Sequence, residues 1–301
     1  MCLILEGRIL CSMSDNYDLK RIQEIELEIL DEVMRICDKN NIKYNLEGGS
    51  CIGAIRHNGM IPWDDDIDLA MMRGEYTKFV EACKKDLDSS RFIFQDCHTD
   101  KRCGFIFGKI RRKGTILSEN YSYHLPFDQG GWVDIFVYDY VSNDADIRAK
   151  DRKRIKFIQN LYIIRCGYKF PEDKSKVFKF AYHLIKPFTY LFSYDFYIKR
   201  IDKGMNKYND NPTNYVFNYA GAYPDKGLFS KNMFKQLMSH EFNGRQCSVI
   251  KEYDAYLKQI YGDYMKLPPK EKQNSYHNFE YVDLDHSYLE YKGIKYLKDK
   301  K

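Results

Sequence analysis

Between Asp18 and Asn40 the apolar residues Leu19, Ile22, Ile25, Ile29, Val33 and Ile36 recur every three or four positions. That spacing keeps one face of an α-helix out of water, and the polar run Asp15–Asp18 offers N-capping groups for it. Ile42, Tyr44 and Leu46 then alternate, which predicts a strand over 42–47. Gly48-Gly49-Ser50 reads as a turn, with a short helix over 51–57 leaving it. The stretch IDLAMM alternates again: Ile67, Leu69 and Met71 share one face, and Asp66, Asp68 and Ala70 share the other. A helix over 74–87, carrying Tyr76, Phe79, Val80, Cys83 and Leu87, follows it.

Four more strand candidates, at 91–96, 104–112, 114–119 and 132–139, complete an α/β pattern. After Asp144 the texture changes to long Lys- and Tyr-rich segments that favour helix. The pattern divides the chain into an α/β core over 1–144 and a mostly helical region over 145–301 that completes the site. There is no internal repeat.

Composition narrows the class. A chain of 301 residues buries a substantial core, and 48 basic against 43 acidic residues is too even a balance to indicate a nucleic-acid partner. Nine cysteines are scattered singly with no CxxC pair, which points to reduced thiols and a cytoplasmic protein. Cys97, His98 and Cys103 are the nearest approach to a zinc cluster and lack a fourth ligand. The apolar start is short and interrupted by Glu6 and Arg8, unlike a signal peptide, and Met13 offers an alternative start that would make residues 1–12 an extension. No run approaches the length of a membrane-spanning helix.

Asp64, Asp65, Asp66 and Asp68 crowd into five positions between apolar residues. Like charges this close resist burial unless a cation compensates them. On an extended strand Asp66 and Asp68 project together while Asp65 points away. Asp134, flanked by Val133 and Ile135, repeats the device on another predicted strand. Converging carboxylates of this kind hold Mg²⁺ or Mn²⁺ against phosphate oxygens. Gly48, Gly49 and Ser50, ahead of a helix start, let backbone N–H groups approach an anion. Lys109, Arg111 and Arg112 supply cations for the same phosphates. A calcium loop is the sharpest rival, since Asp64, Asp66, Asp68 and Glu75 take positions 1, 3, 5 and 12 of an EF-hand, but its central glycine is replaced by Leu69. A solvated acidic turn is the plain alternative.

The run EGGSCIGAIRHNGMIPWDDDIDLAMMRGEY resembles the signature of the LicD family, LLGAxRHxGxIPWDDDIDxxMxRxDY, and GGWVDIFVYD and YDAYLKQIYGDYMKLPPKEKQ resemble its later blocks. The departure is small: Cys51-Ile52 stands where Thr-Leu or Leu-Leu is usual. The resemblance implies a mixed sheet of the polymerase-β nucleotidyltransferase type with flanking helices. It implies metal ligation by Asp66, Asp68 and Asp134, with Asp64 as a further ligand. Gly48, Gly49, Ser50, Arg56, His57, Lys109 and Arg111 are then expected to face the donor. The reaction implied is transfer of a phospho-alcohol, most often phosphocholine, from a CDP-linked donor to a hydroxyl of a cell-surface glycan such as lipopolysaccharide or teichoic acid, with CMP leaving. Asp134 is taken as the base. The residues alone leave two alternatives open: transfer of a nucleotidyl group with release of pyrophosphate, and a silent metal- or glycan-binding module.

The second half says less. The aromatic stretch 180–198, broken by His183, Lys186, Pro187 and Asp195, reads as a kinked core helix pair or as a surface resting on the inner face of a membrane beside a lipid-linked glycan acceptor. Lys270, Lys272 and His277 sit in a loop that reads equally as one closing over the donor or as an ordinary solvated loop. A choline head would need an aromatic cage, whose members the sequence does not single out.

Overall fold

A hairpin of β1 (Cys2–Leu5) and β2 (Arg8–Cys11) precedes helix α1 (Leu19–Lys39), in a computed structural model that describes residues 2–5, 8–11, 18–169, 176–223, 225–275 and 277–291. Met13 lies outside the described residues. The Asp18 carboxylate accepts the Arg21 N–H and starts α1, which buries Ile22, Ile29, Leu30, Val33 and Ile36 as its periodicity predicts. Glu26 lies on the same buried stripe.

The next elements are β3 (Asn45–Leu46), α2 (Gly48–His57), β4 (Asp68–Met72), α3 (Arg73–Asp86), β5 (Phe92–Gln95), β6 (Gly108–Arg112), β7 (Ile116–Glu119) and β8 (Trp132–Val141). Each falls within two residues of a predicted element, except that β3 is much shorter than expected, β6 starts four residues later than the predicted strand, and α2 begins at Gly48, taking in the Gly-Gly-Ser predicted as a turn.

β8 organises the central mixed sheet. It pairs parallel with β4 along one edge, while its first residues pair with β6 and its last with β9 (Tyr215–Asn218) along the other. β3 extends the sheet beyond β4, β5 beyond β6 and β10 (Leu228–Ser230) beyond β9. This α/β architecture agrees with the nucleotidyltransferase-like fold expected from the sequence.

The helix-rich texture expected after 144 corresponds to α4 (Ala145–Cys166), α5 (Lys176–Thr189) and α6 (Tyr194–Met205). Strands follow that the sequence reading did not foresee. β9 and β10 enter the central sheet, β11 (Leu237–Phe242) and β12 (Arg245–Ile250) form a hairpin, and β13 (Phe279–Asp283) joins β2 to β7 in a second sheet. α7 (Tyr253–Tyr261) packs between β12 and the site.

The main core gathers the buried faces of α1, α2, α3 and α7 against the sheet. A second core lies under α4 and α6 and contains Cys97, Cys103 and Cys166. The seven cysteines whose side chains are described are all free and buried. His98 reaches Asp202 at 3.6 Å rather than forming a thiolate cluster. No helix among the described residues is long and apolar enough to cross a membrane.

Candidate functional site

The chain turns from β3 into α2 at Gly48, whose φ of +49° is the left-handed conformation glycine adopts at little cost. A side chain at the next residue, Gly49, would place its Cβ 3.1 Å from Asp64 Oδ2, so this glycine lets the start of α2 lie directly against the acid cluster. Ser50 Oγ accepts the Asp68 N–H at 2.8 Å, and Glu47 N–H donates to the Asp68 carbonyl at 2.9 Å. Residues flanking the diglycine thus clamp the backbone of Asp68 from both sides.

Asp68 opens β4 and stands opposite Asp134 of β8 in the parallel ladder, so the two predicted strands do meet at their acids. The strand starts only at Asp68, however. Asp64 to Ile67 are irregular, and the alternation that placed Asp66 beside Asp68 and turned Asp65 away does not hold. Asp65 is instead fully buried and accepts from His277 Nδ1 at 3.0 Å.

Asp64, Asp66, Asp68, Gly49, Arg56 and His277 line one cleft of about 510 Å³. The other predicted residues do not line it. Lys109, opposite Asp134 on β6, places its ammonium 2.6 Å from the Asp134 carboxylate and over the Trp132 ring. Arg111 is buried and donates to Gln95 Oε1 at 2.6 Å and to the Gly130 carbonyl at 2.7 Å. Its guanidinium ties β5 to the segment ahead of β8 and does not line the cleft. Arg112 donates to Glu28. His57 accepts from Arg56 Nε at 2.9 Å and meets Trp63 edge-on, while Arg56 also donates to the Tyr264 carbonyl at 2.6 Å. Lys270 and Lys272 form a short turn and, unlike His277 from the same loop, do not line the cleft.

The electrostatics follow from crowding. Burial raises the Asp64 carboxyl to about 8, with Asp66 and Asp65 adding to the effect. Burial also raises Asp66, although His277 opposes the shift. Asp68 is pushed well above the usual range by burial, then by Asp66 and Asp134. Asp134 is raised by burial despite Lys109. Burial disfavours the charge on His277, but Asp65, Asp66 and Glu119 outweigh it and raise the imidazole to about 9. Carboxyls this perturbed hold protons until a cation replaces them.

A divalent cation fits this donor set. Asp68 Oδ1 is buried with no hydrogen-bond partner among the described residues, an acceptor awaiting a positive ligand. The ligand atoms of Asp65, Asp66 and His277 lie within 4.8 Å of one another, whereas Asp66, Asp68 and Asp134 do not form so tight a group. Asp65 and His277 already neutralise each other, and Asp134 has Lys109. Asp66 and Asp68, with Asp64 beside them, are the carboxylates left to hold a hard cation.

Sequence reasoning passed over Glu26, Glu47 and the Asp65–His277 pair. Glu26 is recoverable from the helix pattern, since it falls between Ile22 and Ile29 on the dry face of α1; it is buried, with burial and Asp66 raising its carboxyl well above the usual range. The pairing of Asp65 with His277 leaves no local trace.

A family profile described as "LicD/FKTN/FKRP, nucleotidyltransferase domain" matches residues 41–191. Among curated proteins, the chain is 33% identical over 270 residues to "Lipopolysaccharide cholinephosphotransferase LicD" of Haemophilus influenzae, covering 86% of this chain and 96% of that protein. It is 42% identical over 53 residues to "Ribitol 5-phosphate transferase FKRP" of Homo sapiens, covering 18% of this chain and 10% of that one. A similarly short match, 44% over 45 residues, reaches "Uncharacterized protein RP689" of Rickettsia prowazekii, covering 15% of this chain and 17% of that protein.

Proposed function

Because the chain belongs to the LicD family and is a phosphotransferase of it, we propose that it transfers phosphocholine from CDP-choline to a hydroxyl of a cell-surface glycan of the lipopolysaccharide kind, releasing CMP. The observation that carries this reading is the cleft in which Asp64, Asp66 and Asp68 meet the glycine-bearing start of α2. Full-length similarity to a cholinephosphotransferase supports the choline donor over the ribitol one, to which the match is short.

In this reaction the acceptor oxygen attacks the phosphorus that carries choline. A new P–O bond forms, the bridging P–O bond to the cytidine phosphate breaks, and CMP leaves with that electron pair. Mg²⁺ or Mn²⁺ held by Asp66 and Asp68 supplies charge neutralisation for the diphosphate when bound. The N–H groups at the start of α2 orient a phosphate oxygen. With a cation held by Asp66 and Asp68, Asp64 beside them gives up its own proton and stands in the cleft to take that of the acceptor hydroxyl. This assigns Asp64 the role expected of Asp134, whose carboxylate faces Lys109. Lys109 and Trp132 then act by fixing the strand that carries Asp134.

A lipid-linked acceptor fits the surface of α5. Phe180 and Leu191 are 70% and 74% exposed, and Leu184 and Phe188 lie exposed between them. Residues 176–200 hold Lys176, Lys179, Lys186, Lys199 and Arg200 against the single acid Asp195, which is paired with Lys101. An apolar face flanked by cations suits the anionic face of a bilayer, so the protein works as a peripheral enzyme at the cytoplasmic side. The deciding test of function is CMP release from CDP-choline with Mg²⁺ and a lipopolysaccharide acceptor; CDP-ribitol as the better donor would overturn the choline assignment.

A further inference from the structure

We infer that a second, aromatic cleft beside the acid cluster is the subsite for the donor's quaternary ammonium head, with Glu47 as its counter-charge. Glu47 stands at the N-cap position of α2 but makes no capping hydrogen bond with its side chain. It points the other way, into a cleft of about 90 Å³ lined by Phe136, Tyr138, Tyr223, Tyr256 and Tyr261. One carboxylate oxygen, Oε1, accepts the Tyr138 hydroxyl at 2.6 Å. The other, Oε2, is buried without a hydrogen bond of good geometry, although Tyr256 and Asn45 also favour the carboxylate; burial outweighs all three partners and raises the carboxyl to about 7.

A buried carboxylate with an orphaned oxygen calls for a cation. The lining offers none: among the described residues it contains Glu47 and Asp68 and no lysine, arginine or histidine. With the carboxyl raised to about 7, a cationic ligand would draw it into its charged form and supply the counter-charge that the lining lacks. A trimethylammonium group carries its charge on methyl surfaces and donates no hydrogen bond, so ring faces and a nearby carboxylate satisfy it. Tyr223 and Tyr261, packed edge to face at 5.2 Å, form the outer wall, and Tyr223 is 43% exposed at the mouth. A neutral polyol would leave the Glu47 carboxylate without a counter-charge, which the quaternary ammonium provides.

The location fits a donor. Asp68, Tyr223 and Tyr261 line both clefts, so a phosphate held at the acids extends its alcohol directly into the aromatic one. The inference rests on the choline reading above and identifies the residues that select the head.

The test compares wild type with Glu47→Gln, which keeps shape and removes charge, and with Tyr223→Ala at the exposed mouth, which keeps the question answerable if the buried variant fails to fold. Tetramethylammonium binding is measured by calorimetry, and KM for CDP-choline and inhibition by CDP are measured in parallel. Either variant should raise KM for CDP-choline about tenfold or more, the scale of a lost cation–aromatic or charge contact, while inhibition by CDP stays unchanged in Glu47→Gln, since Glu47 does not line the acid cleft. Unchanged KM in both variants, with wild type releasing CMP from CDP-choline, overturns the subsite and leaves the donor reading standing. Glu47-dependent tetramethylammonium binding in a protein that releases no CMP from CDP-choline overturns the donor reading and supports the cation site.

Discussion

His277 Nδ1 stands 3.0 Å from Asp65 Oδ1, joining the acid cluster to a residue 212 positions further along the chain. Asp65 is fully buried, so its charge depends on this partner. The imidazolium offsets Asp65 and opposes the upward shifts of Asp64 and Asp66, and the pairing explains why the central acid of the DDD run faces inward.

This pairing sets the pH dependence of the metal-free fold. A histidine raised from 6.5 to about 9 stabilises the fold fully below pH 6.5 and loses that contribution as pH rises through about 9. Asp64, raised to about 8, acts in the same sense, because the folded state binds its proton more tightly than the unfolded chain does. The melting temperature in EDTA should therefore fall between pH 6.5 and 9, and Mg²⁺ should restore it most at the upper end. Asp65→Asn and His277→Asn should both lower stability at pH 6.5 and flatten the slope. A melting temperature that rises over this interval would refute the protonated pair.

Asp68 and Asp134, opposite each other on β4 and β8, and Asp66 just ahead of β4 should separate by variant. Asp66→Asn and Asp68→Asn relieve repulsion and should leave metal-free stability equal or higher, while turnover drops on the order of 10²-fold or more. Asp134→Asn leaves Lys109 buried without its counter-charge and should cost about 3 kcal/mol, the range seen when one member of a buried ion pair is removed. Denaturant melts of the three variants check this directly; equal destabilisation by all three would contradict the separate roles.

The donor reading predicts a linked stabilisation. CDP-choline with Mg²⁺ at a hundred times its dissociation constant should stabilise the protein by about 2.7 kcal/mol, and ATP or GTP should do far less. Thermal shift with each nucleotide, with and without EDTA, is the measurement. A larger shift with GTP would favour nucleotidyl transfer instead.

The exposed apolar stripe of α5 predicts adsorption to membranes. Vesicles containing anionic lipid should sediment the protein, vesicles of neutral lipid much less, and Leu184→Glu with Phe188→Glu should abolish the difference without changing CMP release to a soluble acceptor. Equal pelleting of the double variant and wild type would remove α5 from that role.

Local pattern made most of the first half readable. The stripe on α1, the alternation in β4 and β8 and the bracketing glycines are short-range signals, and Asp68 and Asp134 do come together in register. What escaped depends on distance. Asp66 and Asp68 were expected on one strand face, but the strand cannot begin before Asp68, where Ser50 and Glu47 hold the backbone. Arg111 looked free to bind phosphate because nothing in sequence ties it to Gln95 and Gly130. Strands β9 to β13 lie among Tyr- and Lys-rich segments whose composition resembles helix, although Asn243-Gly244, both at positive φ, is the tight-turn pair that marks the β11–β12 hairpin.

The parallel pairing of β4 with β8 has a temporal side. Parallel neighbours require a long crossover, and such distant contacts close late and slowly. During synthesis Asp64, Asp65, Asp66 and Asp68 emerge well before Asp134 and Lys109, and His277 follows after most of the chain is already made. The nascent chain therefore carries an unbalanced knot of negative charge, which keeps that segment hydrated until the later cations arrive and allows it to be buried.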